Sequence, residues 1–341
     1  MTKLNLVTGG AGFVGKELVK QLRAKGERVR SFDLAPPSHI DDIQGSITDS
    51  AAVIEAMGEV DTVFHLAGNA QLWARDERVF DDINRAGTAV VIDAAIKAGV
   101  RKFVHCSSLT TLVSNKTPVG FSKADETIEH SPVDMFGAYP RSKREAEIIV
   151  HGAARNGLDT VIVLPTEPLG PGDEALTPPT KMILDFANGA TPAYIDCILN
   201  FVPVPSLAQG MIAAAEKGRA GERYLLGGEN TPMRDLLATI SAITGAPAPK
   251  MKMPYWVALG AGAVDTKIIA ALTGKPPKAP LTGVRLAGRN VSFSSAKAAR
   301  ELGWRASPYE PALYEAISWF ADKGWLQKKL PDRPAIAQDG K

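Results

Sequence analysis

The glycine-rich segment near the start of the chain, Thr8–Gly15, constrains the fold more than any other feature of the sequence. Its glycines have the spacing G-x-x-G-x-x-G and are Gly9, Gly12 and Gly15. An apolar strand signal at residues 4–7 precedes the segment, and a helical pattern that begins with Phe13 and Val14 follows it. Glycines permit a tight turn, and the start of the helix presents unpaired N–H groups to a pyrophosphate. The segment therefore predicts a dinucleotide site.

A carboxylate stands at the end of the second predicted strand, Arg28–Asp33. At this position Asp33 can accept hydrogen bonds from the ribose hydroxyls of adenosine, and it would repel a 2′-phosphate. NAD(H) is therefore favoured as the cofactor. NADP(H) stays open, because Arg28 or Arg30 could reach a 2′-phosphate and Asp33 could instead be a turn residue.

Strand and helix signals alternate through the first half of the chain. The further signals are strands at residues 61–66, 100–106 and 158–164 and a long helix at residues 80–98. This alternation indicates an α/β fold, a Rossmann-type doubly wound parallel sheet with helices on both faces. We assign residues 1–165 to the nucleotide-binding domain, with returning elements from about 200–230. Residues 166–326 form a smaller, mostly helical C-terminal substrate lobe, and residues 327–341 a flexible tail.

Composition excludes several classes of protein. The 39 basic and 37 acidic residues leave a charge of +2, which gives no reason to expect a nucleic-acid partner. Two cysteines cannot form a dense disulfide framework, and the five scattered histidines suggest no metal site. The longest unbroken apolar stretch, Tyr255–Val264, is too short to span a bilayer. We expect a cytoplasmic protein, with attachment to the inner face of a membrane left open.

A tyrosine and a lysine four residues apart form the candidate catalytic pair. Tyr139 and Lys143 share one face of a helix that Pro140 is suited to begin. A neighbouring ammonium stabilises a phenolate and lowers the tyrosine pKa from its usual value near ~10. The pair Ser107-Ser108 follows a predicted strand at the edge of the sheet where ligands bind. A hydroxyl there could hold a substrate carbonyl, or could cap the exit from the strand.

These motifs together resemble the extended short-chain dehydrogenase/reductases of the NAD-dependent epimerase/dehydratase type. The segments that carry the resemblance are Thr8–Gly15, His65-Leu66-Ala67-Gly68, Asn84 with Gly87-Thr88, Ser107-Ser108 and the Tyr139/Lys143 pair. The resemblance implies that Tyr139 is the acid–base, Lys143 its electrostatic partner and Ser108 the hydroxyl that positions the carbonyl. It also implies a homodimer and these cofactor-binding residues: Gly9, Gly12, Phe13, Val14, Gly15, Asp33, Leu66, Ala67, Gly68, Tyr139, Lys143 and Pro165.

Within this family the chain is similar to hopanoid-associated sugar epimerase-like, dihydroflavonol reductase-like and bacterial ceramide-synthesis reductase proteins. The segments that carry this similarity are Pro165–Asp173, Gly221–Gly228 and Leu302-Gly303-Trp304. Two departures matter. Gly45-Ser46 replaces a Gly-Asp that contacts adenine in many relatives, and Leu109-Thr110 replaces the Asp-Glu pair of the 4,6-dehydratases.

The substrate class is inferred from a shortage of positive charge. A nucleotide-sugar enzyme must bind a second pyrophosphate, usually with Arg or Lys, but Lys181 is the one cationic residue from Glu174 to Glu216. We therefore favour a ketone–alcohol oxidoreductase for a lipid-like substrate, such as a ceramide- or sphinganine-type keto-lipid. An epimerase of a sugar or nucleotide sugar with tightly bound NAD is the alternative. Arginines outside that segment could fold over the site and bind the second pyrophosphate, namely Arg223, Arg285 and Arg289. A non-catalytic dinucleotide-sensing protein is a second alternative, against which the retained Ser108, Tyr139 and Lys143 argue.

The predicted helix Pro254–Thr273 carries a broad apolar stripe that Asp265 and Lys267 interrupt. Such stripes usually pack against a core, so the default expectation is an ordinary helix on the sheet. The alternative is a hydrophobic lid, or a surface helix that enters a membrane interface with nearby lysines facing anionic headgroups. These lysines are Lys267, Lys275 and Lys278.

Overall fold

The computed structural model describes residues 3–331 and consists of strands and helices that alternate from the start. The strands are β1 (Leu4–Thr8), β2 (Arg28–Asp33), β3 (Ile43–Gln44), β4 (Val60–His65), β5 (Lys102–Cys106), β6 (Ser122–Ala124), β7 (Thr160–Pro165), β8 (Glu167–Leu169), β9 (Ala193–Tyr194), β10 (Ile198–Pro203), β11 (Arg223–Leu226), β12 (Glu229–Pro232), β13 (Met251–Lys252) and β14 (Val291–Phe293).

The helices surround these strands and include two short π-helical segments, Asp81–Ala86 and Asp265–Ile269. The α-helices are α1 (Phe13–Ala24), α2 (Ser50–Ala56), α3 (Arg78–Phe80), α4 (Gly87–Ala98), α5 (Ala138–Arg155), α6 (Pro178–Ala187), α7 (Val204–Lys217), α8 (Met233–Thr244), α9 (Tyr255–Val264), α10 (Ala270–Thr273), α11 (Leu281–Ala287), α12 (Ala296–Glu301) and α13 (Tyr309–Asp322).

A seven-stranded parallel sheet forms the centre of the molecule, in the order β3-β2-β1-β4-β5-β7-β11. This order, in which the chain reverses direction at β1, is that of a doubly wound dinucleotide-binding fold. Helices cover both faces, so β1 is buried along its whole length, and Leu6 and Val7 belong to the cores on opposite sides. The predicted Rossmann-type α/β fold is confirmed.

The C-terminal region packs around a second core between α6, α8 and α13. A three-stranded sheet, β12-β10-β8, borders this core. The chain also returns to the central sheet, because β11 pairs in parallel with β7 at its edge. The division of the chain at residue 165 stays a prediction.

The sequence pattern missed some elements, of which α7 is the longest. This helix packs between α1 and the sheet and buries Leu207, Met211 and Ala214. Because it is apolar over much of its circumference, its helical period is weak in the sequence. The helix α13 begins at Tyr309 and carries Pro311 in its first turn, where a proline is tolerated.

The first residues of the predicted flexible tail contact the C-terminal lobe. The Gln327 backbone N–H donates to Asn188 Oδ1 at 2.8 Å, and Leu330 packs against the second core. These contacts hold the chain against the lobe beyond residue 326. The rest of the predicted tail, residues 332–341, lies outside the described residues.

The predicted helix at residues 254–273 is present as a continuous helix from Tyr255 to Thr273, but it does not pack as a core helix. Only 17% of its most apolar window is buried, and its fully buried positions are Ala258, Gly262 and Ala270. With 19 residues and a mean hydropathy of 1.3, it is long and apolar enough to cross a membrane by length and composition. The sequence analysis underestimated the length of this apolar segment, because it counted only the unbroken apolar run Tyr255–Val264.

Candidate active site

The carboxyl ends of the central strands bring the predicted site residues to one edge of the sheet. The glycine-rich turn follows β1, Leu66–Gly68 follow β4, Ser107-Ser108 follow β5, and Pro165 ends β7. Parallel strands end at the same edge, which is where doubly wound sheets bind ligands. Helix α5 starts beside this edge and carries Tyr139 and Lys143 in its first two turns.

The glycine-rich turn is too tightly packed to accept side chains. Gly9 has a φ of +72°, and a Cβ on Gly15 would lie 2.0 Å from the Gly9 carbonyl oxygen. Helix α1 then begins at Phe13, and its N-cap, Gly12, offers no side chain to the first N–H groups. Backbone donors at a helix start with no acid in the first turn suit a pyrophosphate. The turn therefore fits a dinucleotide.

Asp33 is held beside this turn by two backbone donors. The Ala11 N–H donates to its Oδ2 at 3.0 Å and the Ala35 N–H to its Oδ1 at 3.1 Å. A cavity of about 360 Å³ opens here, and Asp33 and Lys16 are among the residues that line it. Each carboxylate oxygen keeps a lone pair for a ribose hydroxyl.

The two arginines that kept NADP(H) open do not lie near Asp33. Arg30 donates to the carbonyl oxygens of Ala56 and Gly58 at 2.7 and 2.9 Å. Arg28 begins β2, at the opposite end of the strand from Asp33, about 16 Å away at ~3.3 Å per residue. Neither arginine is placed to receive a 2′-phosphate.

The three predicted catalytic residues meet at the junction of β5 and α5. Lys143 Nζ donates to the Cys106 carbonyl oxygen at 2.6 Å. Burial raises the pKa of Tyr139 to about 12, and a hydrogen bond with the Ser108 side chain lowers it only in part. Burial also lowers the pKa of Lys143. Lys143 is not among the groups that shift the Tyr139 pKa here, and its ammonium is directed to a backbone carbonyl.

Ser108 performs the capping role and is also available to a ligand. Its Oγ accepts hydrogen bonds from the Thr110 N–H at 3.2 Å and the Thr110 hydroxyl at 3.0 Å. A hydroxyl that accepts two hydrogen bonds is left with its own proton to donate. This proton partly stabilises the Tyr139 phenolate, and a carbonyl oxygen bound beside Tyr139 can accept it instead.

Comparison with known proteins agrees with this geometry. Residues 5–227 match the model of the NAD-dependent epimerase/dehydratase family. The chain belongs to this family. It is an enzyme of the extended short-chain dehydrogenase/reductase type, and NAD is its cofactor.

Individual relatives align with nearly the whole enzyme. A protein of Synechocystis sp. with the provisional name dihydroflavonol 4-reductase is 35% identical over 94% of this chain and 95% of its own. The 2-alkyl-3-oxoalkanoate reductase of Stenotrophomonas maltophilia is 30% identical over 80% of this chain and 86% of its own. The crystal structure of gox2253 has a TM-score of 0.81 at 33% identity, covering 96% of this chain and all of the other.

Two further residues that the sequence singled out connect parts of the enzyme's site. His65 binds the hydroxyls of Thr8 and Thr88 at 2.7 and 3.0 Å, and burial lowers its pKa to about 3, so the ring is neutral and structural. Asn84 lies in a π-helical segment of the kind often found at functional sites. Its side chain binds the Asn69 backbone and the Ser142 hydroxyl, which ties the 69–77 loop to α5.

Sequence reasoning missed a buried carboxylate, Glu147, one helical turn beyond Lys143. Glu147 is completely buried and accepts hydrogen bonds from the hydroxyls of Ser107 and Thr111. It also forms ion pairs with Arg144 at 2.9 Å and Arg223 at 3.3 Å. Its spacing of four from Lys143 was the available signal. The Arg223 guanidinium is therefore bound to α5 through Glu147 and does not fold over the site.

A second cavity, of about 570 Å³, opens on the substrate side of α5. Its lining includes Gly137, the N-cap of α5, together with Ala74 from the 69–77 loop. Three cationic residues also line it, namely Arg75, Lys267 and Arg285. Within residues 3–331, no cluster of three His, Cys, Asp or Glu side chains could hold a metal ion.

Exchange of Asp33 for asparagine tests the ribose contact. We expect Asp33→Asn to weaken NADH binding about tenfold or more, because a hydrogen bond to a charged group contributes about 1.5–3 kcal/mol. Titration of cofactor fluorescence measures the affinity. Asp41→Asn, a matched change outside the cavity lining, should leave it unchanged. Equal NADH affinity in Asp33→Asn and the native enzyme would contradict the assignment.

Removal of the Glu147 carboxylate tests the buried charge cluster. We expect Glu147→Ala to lower the free energy of unfolding by about 3–5 kcal/mol, because Arg223 would remain buried without its counter-ion and Arg144 would keep only Glu129, at 3.5 Å. Urea unfolding followed by circular dichroism measures the loss. Glu145→Ala, on the same helix, should change stability by no more than about 0.5 kcal/mol. A similar small change in both variants would show that the cluster does not hold α5 in place.

Proposed function

We propose that the enzyme is an NADH-dependent reductase that converts a ketone to a secondary alcohol on a bulky, lipid-like substrate. A ceramide- or sphinganine-type keto-lipid is the class of substrate that we favour. Two observations support the proposal: the arrangement of Ser108, Tyr139 and Lys143, and the apolar side chains that surround Tyr139.

The apolar environment of Tyr139 is the observation that carries the proposal. Tyr139 clusters with Phe80, which is buried, and with Leu72, Ala74 and Val79, which are partly buried. The rings of Phe80 and Tyr139 are 6.1 Å apart between centroids. A sugar ring has a hydroxyl on most of its carbons, and each would need a polar partner on entering such a site. A ketone within an alkyl chain has no such requirement.

The charges of the substrate lobe support the same substrate class. Lys181 forms an exposed ion pair with Asp185 at 2.5 Å on α6, and Arg223 is held by Glu147. Both side chains are therefore engaged away from the substrate. The 2-alkyl-3-oxoalkanoate reductase among the relatives adds support, since its name describes reduction of a ketone next to an alkyl chain.

The protonation state of Tyr139 supports the reductive direction. When bound, the cofactor supplies the hydride for the reaction. With a pKa of about 12, the Tyr139 phenol is protonated at neutral pH and can give its proton to the carbonyl oxygen. Ser108 donates a hydrogen bond to the same oxygen. Lys143, buried beside the Cys106 carbonyl, binds and orients the ribose side of the cofactor.

An epimerase of a nucleotide sugar is the second candidate. The observation in its favour is that Arg75, Lys267 and Arg285 line the larger cavity, where a pyrophosphate could bind. The same three cations could equally bind an anionic headgroup of a lipid. Turnover assays separate the two candidates.

The proposal includes a cytoplasmic location and a homodimeric state. Both cysteines, Cys106 and Cys197, are free thiols, which suits a reducing compartment. The dimer follows from the family resemblance.

A substrate panel tests the proposed reaction. The purified enzyme is offered NADH or NADPH with long-chain keto-lipids in micelles and, separately, with UDP-sugars. We expect net oxidation of NADH with a keto-lipid and about a 1,000-fold or greater loss of rate in Tyr139→Phe, which cannot give up a proton. Tyr194→Phe, at a buried tyrosine of the lobe core, is the matched control. A UDP-sugar epimerised without net oxidation of NADH would overturn the proposal.

The pH profile tests the role of Tyr139 as an acid. Because its pKa is raised, the protonated form is present across the neutral range, and we expect the rate of ketone reduction to stay level between about pH 6 and about pH 9. The reverse reaction needs the phenolate, so its rate should rise with pH over the same range. Initial rates in both directions at saturating cofactor measure this difference. A reduction rate that falls tenfold per pH unit above about pH 7 would contradict a raised pKa.

A further inference from the structure

The outer face of the helix Tyr255–Thr273 exposes large apolar side chains to solvent. The exposed fractions are 76% for Trp256, 48% for Val264, 53% for Ile268 and 83% for Leu272. Val264, Ile268 and Leu272 follow one another at intervals of four residues, so they form a stripe along one side of the helix. A contiguous exposed apolar surface of this kind marks a site that contacts a partner or a membrane.

The charge around this stripe is strongly one-sided, although the whole chain is almost neutral. Residues 236–300 contain one acidic residue, Asp265, and nine basic ones: Lys250, Lys252, Lys267, Lys275, Lys278, Arg285, Arg289, Lys297 and Arg300. The Asp265 carboxylate accepts a hydrogen bond from the Ala279 N–H at 3.0 Å. It thereby ties the loop that carries Lys275 and Lys278 to the helix. The one negative charge of this region thus holds the basic loop in place.

The lysines next to the stripe are free to meet an external anion. Lys267, Lys275 and Lys278 are exposed and form no salt bridge within residues 3–331. Apolar side chains interleaved with free lysines are the pattern of a helix that lies on an anionic bilayer, with an exposed tryptophan at the headgroup level. A protein partner of opposite charge would account for the lysines but not for the fully apolar stripe between them.

The helix is built to lie along a bilayer rather than to cross it. Its inner face is packed against α11, where a Cβ on Gly262 would meet Val284 and the Ala279 carbonyl oxygen at 3.1 and 3.2 Å. Asp265 and Lys267 occupy the middle of the helix, which would place two charged side chains near the centre of a bilayer. An interfacial position buries only the outer stripe and leaves these contacts intact.

The same helix also borders the larger cavity of the enzyme. Thr266, Lys267 and Ala271 line that cavity, which reaches Gly137 at the start of α5, two residues before Tyr139. We infer that the outer face of the Tyr255–Thr273 helix and its lysine loop form a docking surface for an anionic lipid bilayer, beside the entrance to the catalytic cavity. This inference concerns the location of the enzyme and does not require that its substrate be a lipid.

Sedimentation with sucrose-loaded vesicles tests the docking surface. One set of vesicles is phosphatidylcholine alone, and the other contains equal parts of phosphatidylcholine and phosphatidylglycerol. We expect the enzyme to sediment with the anionic vesicles and to remain in the supernatant with the neutral ones. Equal sedimentation with both, or with neither, overturns the inference.

Two pairs of substitutions locate the surface. Ile268→Ser/Leu272→Ser should abolish sedimentation, whereas Val133→Ser, at another exposed apolar residue, should not change it. Lys275→Gln/Lys278→Gln should lower the partition coefficient about thirtyfold, with Lys20→Gln/Lys97→Gln as the charge-matched control. Unchanged NADH affinity shows that each variant is folded. Binding that survives both helix-region pairs overturns the inference.

The outcome also distinguishes a bilayer from a second copy of the chain. If no vesicle binds, and Ile268→Ser/Leu272→Ser converts a dimer to a monomer by light scattering, the stripe is a dimer interface and the inference is wrong. The sedimentation assay involves no turnover. Its failure would leave the reductase proposal standing, and loss of ketone reduction would leave the docking result standing.

Discussion

The contacts of one carboxylate, Glu147, hold the predicted catalytic groups of this enzyme in register. Glu147 projects from α5, which carries Tyr139 and Lys143, and accepts hydrogen bonds from Ser107 and Thr111, which flank Ser108. Since the two arginines that neutralise it come from α5 and β11, the ionic cluster joins the helix to the edge of the sheet. The buried carboxylate is paired with two arginines and two hydroxyls, and Glu129, at 3.5 Å from Arg144, supplies the second negative charge of the cluster. The relative position of Tyr139, the predicted acid–base, and Ser108 thus depends on Glu147, which hydrogen-bonds to neither.

The burial of Tyr139 also determines whether this residue donates or accepts a proton at neutral pH. Water is excluded around Tyr139 by Phe80 and its neighbours, which disfavours the phenolate and raises the pKa. Lys143 does not reverse this effect, because its ammonium is bound to the Cys106 carbonyl. A tyrosine in this state is a proton donor and a poor base. Under the proposed function, the apolar neighbours of Tyr139 therefore suit an apolar ketone and also keep the acid in the form that ketone reduction requires.

Much of the fold was predictable, because the residues that define it act locally. The glycine turn, the alternation of strands with helices, and the four-residue spacing of Tyr139 and Lys143 are each visible within a short segment. What the sequence could not provide depends on long-range packing. The partners of Arg223 lie on α5 and in the 126–128 segment, far from it in the sequence. The residues next to Arg223 in the sequence therefore could not predict that its side chain is bound there and does not fold over the site. Likewise, Lys143 was correctly placed near Tyr139, but its carbonyl partner comes from β5.

The helix at residues 255–273 shows how composition alone can mislead about a surface. Its apolar stripe has the period of a core helix, and a periodic pattern carries no information about which face a neighbour covers. The helix α11 and the 274–280 loop cover the side lined with Ala258 and Gly262, where small residues allow close approach. The large apolar side chains of the helix, such as Trp256, Ile268 and Leu272, therefore remain exposed to solvent. The overall charge of +2 similarly conceals the excess of eight positive charges over residues 236–300. Because Thr266, Lys267 and Ala271 of this helix line the cavity that reaches Gly137, the basic and apolar surface borders that cavity next to the start of α5, the helix that carries Tyr139.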